Sequence, residues 1–169
     1  MRLTQEQKDY FIHTISDLYD NDKLHEMNQY LQHGNTTTFM HCLTVAYVSY
    51  LLSLCLRFHF DRKGIIRGAM LHDFYLYDWH IPDKTHHLHG FYHPDFACKN
   101  AKKYYPISPI EEDIIKKHMW PLTLTHYPIY RESILVCFVD KICSLAEIFR
   151  IPMKARELRY ITCSLRKIN

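Results

Sequence analysis

Ile134-Leu-Val-Cys-Phe-Val-Asp-Lys-Ile-Cys143 reads as the buried face of a helix, and it carries a carboxylate, Asp140. A bare carboxylate in an apolar core is costly, so such a group is paired or coordinates a metal. Two other apolar stretches supply partners. Ile65-Ile-Arg-Gly-Ala-Met-Leu-His-Asp73 ends on His72 and Asp73, and Phe39-Met-His-Cys-Leu-Thr-Val-Ala46 contains His41. Three apolar helices, each with a metal-type ligand, point to one buried metal centre.

Working outward, the rest of the chain reads as further helices. Thr4 to about Tyr19 is amphipathic, with Phe11, Ile15 and Leu18 on one face, and a short helix covers about Asp22 to Gln32. Gly34-Asn35-Thr36 breaks the chain and offers capping oxygens for an apolar helix from about Thr36 to Phe58. Asp61 caps a helix from Arg62 to about Tyr77, in which Gly68 and Ala69 let a neighbour approach closely. Asp78 to Tyr92 reads as an irregular loop, broken by Pro82 and Gly90. Pro94 then opens a helix to about Tyr105.

Ser108 and Glu111 form a capping-box start, and that helix carries Ile110, Ile114 and His118 on one face until Pro121 stops it. Arg131 to Arg150 is the helix of Asp140, and a last helix follows Pro152. No segment reads as a strand. The expectation is an all-α bundle forming a single domain over residues 1–169. Its core covers about 36–147, with N-terminal helices over 1–33 and a basic C-terminal helix over 152–169.

Composition agrees. A hydrophobic share of 47% with only 4 glycines suits a globular helical chain of 169 residues. No apolar run approaches the roughly 20 residues of a membrane span, and no signal peptide opens the chain, so a cytoplasmic protein is expected. None of the 6 cysteines forms C-x-x-C, which fits small buried hydrophobes in a reducing compartment. The net charge is +3, but residues 154–169 hold five Lys/Arg against one Glu, leaving about −1 for the rest. That basic end reads as a solvated helix end rather than a nucleic-acid surface. Oligomeric state is left open.

The ordered ligand set is His41, His72-Asp73, His93, His118 and Asp140. Imidazole with carboxylate suits divalent Fe, Mn, Zn, Ni or Co. One ion would use His41, His72, Asp73 and Asp140. A second would add His93 and His118, with one oxygen of Asp73 on each ion. Water on such ions ionises near neutral pH and can attack a phosphoester. Lys117, Lys141 and Arg131 are candidate cations for a small anionic substrate. Asp78 is a candidate general acid/base, and His89 and His86 are candidate pocket or proton-shuttle residues. Tyr75, Tyr77 and Trp79 offer aromatic surface to a base or sugar.

His41…His72-Asp73…Asp140 on a helical scaffold resembles the HD superfamily of metal-dependent phosphohydrolases. The stretches 68–80, 89–94 and 117–122, with Arg131-Glu-Ser and Asp140-Lys, resemble a bacterial group of small stand-alone HD proteins. The resemblance covers about residues 36 to 147. It implies an HD-domain bundle and a metal-dependent hydrolase acting on a nucleotide or other small phosphoester. His93 and His118 fall where binuclear HD proteins, including HD-GYP phosphodiesterases, place second-metal ligands. The GYP signature itself is absent, and Trp120-Pro121 follows His118 instead. HD-fold mixed-valent di-iron oxygenases share the ligand order, so the resemblance also admits O2 chemistry. A third reading is a non-catalytic module that the metal only braces.

Overall fold

The computed structural model describes residues 2–81, 88–151, 153 and 155–167. His86, His87, Pro82 and Pro152 lie outside the described residues. The architecture is all-α, with one small hairpin. α1 (Gln5–Tyr19) starts at Thr4, whose hydroxyl accepts from the Gln7 amide while the Gln7 side chain accepts from the Thr4 amide. α2 (Asp22–Glu26) is capped by Asn21 and followed by a 3-10 turn, Met27–Gln29.

The expected helix to Gln32 gives way here to two strands, where the sequence pattern suggests none. β1 (Leu31–His33) pairs antiparallel with β2 (Thr36–Thr37) across a turn in which Gly34 takes φ +58°. A tertiary contact overrides the helix: the hairpin turns Gln32 inward, where its amide donates to Asp73 Oδ2 at 2.6 Å.

α3 (Thr38–Cys55) is the central helix, packed most extensively on α4 and α7. Thr37 caps it by accepting from the Met40 amide. By length and composition α3 is apolar enough to cross a membrane, but 72% of it is buried inside the protein, as a core helix requires. α4 (Arg62–Leu71) begins at Asp61, whose side chain accepts from the Gly64 amide.

α4 ends at Leu71 and does not run on to Tyr77. The Phe74 amide donates to Leu71 O at 3.1 Å, Leu76 takes φ +59°, and the Asn100 side chain donates to the carbonyls of Phe74 and Tyr75. Backbone groups that a longer helix would have paired thus find partners elsewhere.

α5 (His89–Tyr104) starts five residues before Pro94, which sits buried inside the helix and not at its first position. The expected loop over Asp78–Tyr92 therefore ends earlier. α6 (Pro109–Lys117) has the expected capping box between Ser108 and Glu111. α7 (Arg131–Ile148) and α8 (Ala155–Leu165) complete the bundle. Gly68 brings α4 and α6 together: a β-carbon there would lie 2.6 Å from Ile114 Cδ1 and 3.1 Å from Ile114 Cβ. A single apolar cluster runs through α1 to α8. All six cysteines are free, and Cys42, Cys98, Cys137 and Cys143 are buried.

Candidate metal centre

Five helices bring the six ligand-type side chains together. His41 lies in the first turns of α3, His93 in α5 and Asp140 in α7, while His72 and His118 are the residues that cap the C-terminal ends of α4 and α6. All six are buried.

The two helix ends explain how the rings are aimed. The last carbonyls of a helix have no amide four residues on to receive. Ala69 O accepts from His72 Nδ1 at 2.7 Å, and Ile115 O accepts from His118 Nδ1 at 2.8 Å. His93 Nδ1 donates likewise to His89 O at 2.8 Å. His41 Nδ1 meets the Glu147 carboxylate at 3.0 Å. Each ring therefore uses Nδ1–H outward and points Nε2 at the centre, the orientation a metal ligand needs, with a bound cation taking the place of any proton on Nε2.

Asp73 sits in the middle. Its Oδ1 is 3.1 Å from His93 Nε2 and 3.4 Å from His118 Nε2. Its Oδ2 is 3.3 Å from His72 Nε2 and 3.8 Å from His41 Nε2. Asp140 Oδ1 lies 3.0 Å from His41 Nε2 and 3.6 Å from His72 Nε2. Two groups able to hold an ion follow, His41–His72–Asp73 and Asp73–His93–His118, each with its donor atoms within 4.8 Å of one another.

The donor set fits divalent ions. Among the described residues, His72 Nε2 and Asp73 Oδ1 are buried without a hydrogen-bond partner. His93 Nε2 and His118 Nε2 stand 2.8 Å apart, though both rings already donate through Nδ1. Two lone pairs that close need a proton or a cation between them. Buried orphan donors facing one another across a carboxylate are what an ion of +2 charge satisfies.

Electrostatics agree. Burial opposes charge on His41, but hydrogen bonds to Asp140 and Glu147 outweigh it and raise its pKa to about 10. Burial likewise opposes charge on His72, and the adjacent Asp73 carboxylate, with further help from Asp140, lifts it well above its usual value. Asp73 and Asp140 are held well below the carboxylate range: the surrounding imidazoles override burial in both. His118 is pushed down to about 4 by burial, which the Asp73 contact only partly offsets.

These shifts set a pH optimum for the metal-stripped protein. In the unfolded chain His118 takes up its proton near the ordinary 6.5, so its contribution is complete above that pH and is lost as the pH falls towards 4. The loss is about 3 kcal/mol. The contribution of His41 is complete below 6.5 and is lost as the pH rises through about 10. Chelator-treated protein is therefore expected to be most stable near pH 6.5, with denaturant midpoints falling on both sides. A flat profile between pH 4 and 6.5 would contradict the assignment of His118.

The other candidates are placed as follows. His89 stacks on His93, with ring centres 4.5 Å apart, and lies against Trp79 at 5.2 Å; its Nδ1 is 2.8 Å from Tyr77 OH. Lys141 Nζ donates to the carbonyls of His118 at 2.6 Å and Cys137 at 3.3 Å, bracing the backbone behind His118. Lys117 pairs with Asp113 and lies over the Tyr127 ring. Arg131 donates to His59 O on an exposed face. Asp78 accepts from the amide and ring of His80. None of the last three is brought to the ligands by these contacts.

Comparison with known proteins finds no matching family model, curated protein or solved structure.

Three side chains at the centre are not singled out as site-orienting groups by the sequence. Glu147 orients His41; it lies seven residues after Asp140, two turns along the same face of α7, a spacing that could have revealed it. Gln32 holds Asp73, and Tyr75 OH donates in turn to Gln32 Oε1 at 2.5 Å. A glutamine in a short polar hairpin carries no sequence signal of such a role.

Proposed function

We propose that the protein is a metal-dependent phosphohydrolase of the HD type, acting on a nucleotide or other small phosphoester. In this reading six side chains hold two divalent ions: His41, His72, Asp73 and Asp140 one, and Asp73, His93 and His118 the other. The observation that carries the reading is the Asp73 carboxylate, which turns one oxygen to each histidine pair. Bound divalent ions supply Lewis acidity and an activated water for attack on phosphorus.

The protein's own part is to fix the ligands and keep the site dry. Gln32 clamps one oxygen of Asp73 and so leaves its rotamer no freedom. Glu147 raises the basicity of His41 through Nδ1, as carboxylate partners of ligand histidines do. Asp73 and Asp140, both held ionised, would supply anionic donors to bound cations in place of the imidazole protons they face here. Tyr75 and Phe74 are fully buried alongside Asp73 and exclude solvent from that side.

The test is to strip the protein of metal, reload it with Mn2+, Fe2+, Co2+, Ni2+ or Zn2+, and count ions per chain by elemental analysis. The reloaded protein is then offered a broad phosphoester panel. Two ions per chain and release of phosphate or nucleoside are expected. Iron-dependent O2 consumption without any phosphoester cleavage would replace this reading with the di-iron oxygenase one. Tight metal uptake with neither reaction would leave the metal-braced binding module.

A further inference from the structure

α7 turns its polar side chains inward and leaves its outer face without a partner among the described residues. Ser144 Oγ donates to Asp140 Oδ1 at 3.4 Å, Glu147 holds His41, and Lys141 is drawn onto the carbonyls of His118 and Cys137. After Arg131, what remains for solvent is apolar: Ile134, Phe138, Ile142, Leu145 and Ile148, with Phe149 closing the helix. These six residues are between 39% and 71% exposed. A solvent-facing helix face is ordinarily polar, and a helix that is apolar all round is a buried one.

The stripe is also large. The six residues expose roughly 700 Å2, above the about 300–600 Å2 of the largest apolar patch on a typical monomer and close to the about 800 Å2 that each partner gives to a standard stable interface. Trp120 flanks it: its carbonyl accepts from Cys137 Sγ at 3.2 Å, and its side chain is exposed. The area is on the scale that a stable dimer needs.

The order of the side chains selects the partner. Phe138, Ile142, Leu145 and Phe149 follow at steps of four, three and four, the spacing of a seam between two paired helices. A twofold axis beside Ile142, with the helices antiparallel, sets Ile134 of one copy against Phe149 of the other and Phe138 against Leu145. Each aromatic ring then meets a smaller aliphatic chain, as interdigitating side chains require. Parallel helices would instead put Phe138 on Phe138 and Phe149 on Phe149. A lipid surface fits less well. A helix lying on a membrane flanks its apolar face with Lys and Arg for the headgroups, and the only such residue between Arg131 and Arg150 is Lys141, already taken by backbone carbonyls.

We propose that the protein forms a homodimer in which two copies of α7 pair antiparallel along this stripe, each with its own metal centre behind it. Pairing of this kind goes beyond the phosphohydrolase reading and does not rest on it.

The experiment is sedimentation velocity on the full chain between about 1 and 100 µM, beside the variants Phe138→Glu and Leu145→Glu. The wild type is expected to sediment as a dimer. Either glutamate would be buried twice in an apolar seam, so the dimer Kd is expected to rise at least about a hundredfold. Both positions are exposed in the single chain, so helix content by circular dichroism and metal content should match the wild type. Added salt should leave the wild-type dimer as tight or tighter, because only the like charges of Arg131 and Arg150 meet at the ends of the seam. In a background of Cys55→Ser and Cys163→Ser, which removes the exposed thiols, Ile142→Cys should oxidise to a cross-linked dimer and Phe149→Cys should not.

A monomer at every concentration, a dimer unmoved by both glutamates, or cross-linking through Phe149→Cys as readily as through Ile142→Cys overturns the proposal. So does a monomer that co-sediments with phosphatidylserine vesicles and is released by Phe138→Glu, which would give the stripe to a lipid surface.

Discussion

Asp73→Ala is expected to empty the whole centre, not one half of it. Asp73 alone faces both histidine pairs, through Oδ2 to His41 and His72 and through Oδ1 to His93 and His118. Its removal takes an anionic donor from both ion-holding groups. It also leaves the Gln32 amide, buried at the same spot, without its acceptor. Elemental analysis should find less than a tenth of the wild-type metal. Phosphoester cleavage should fall by at least about a thousandfold, roughly 4 kcal/mol of transition-state stabilisation. Asp140→Ala and His118→Ala should behave differently, each weakening one half and leaving close to one ion per chain. Circular dichroism should show the helices intact in all three. Full metal content in Asp73→Ala would falsify the shared-carboxylate arrangement.

Arg67→Met is expected to unfold the protein far more readily, although it touches no metal ligand. Arg67 Nε donates to Glu111 Oε1 at 2.8 Å, its NH2 group donates to Pro106 O at 3.1 Å, and both side chains are below a tenth exposed. Breaking such a pair strands a buried carboxylate, which costs about 3–5 kcal/mol. For a chain of this size that lowers the melting temperature by about 10 °C. Glu111 also serves the cap of α6, where its other oxygen accepts from the Ser108 amide. Combining Arg67→Met with Glu111→Gln keeps that acceptor and removes the stranded charge, so most of the lost stability should return. A double variant as unstable as the single one would mean that packing, not the buried charge, is what Arg67 supplies.

Part of this is legible in the sequence for identifiable reasons. Helix starts at Thr4, Asp61 and Ser108 are encoded locally, by a side chain three residues from the amide it serves. The ligand set stands out because imidazoles and carboxylates are rare in apolar stretches. What cannot be read depends on contacts distant in sequence. α4 ends at Leu71 because Asn100, from another helix, takes the carbonyls beyond it. The hairpin exists because Gln32 reaches Asp73, 41 residues away. Pro94 suggests a helix start, whereas the first turn of α5 is secured by His93 bonding to the carbonyl of His89. Lys141 sits beside Asp140 in sequence and reads as a substrate cation, yet its ammonium is taken up by backbone carbonyls.

His72 and His118 close the C-terminal ends of α4 and α6, so two helix axes finish at one point. Aligned peptide dipoles give each such end a partial negative charge of about half an electron. Before any ion arrives, that field adds to the two carboxylates and favours the positive charge held on His41 and His72. Under the proposed function, bound divalent ions would take over from those imidazole protons and add the positive charge that an anionic ligand needs. The cationic demand of the centre is thus written into the direction in which two helices run.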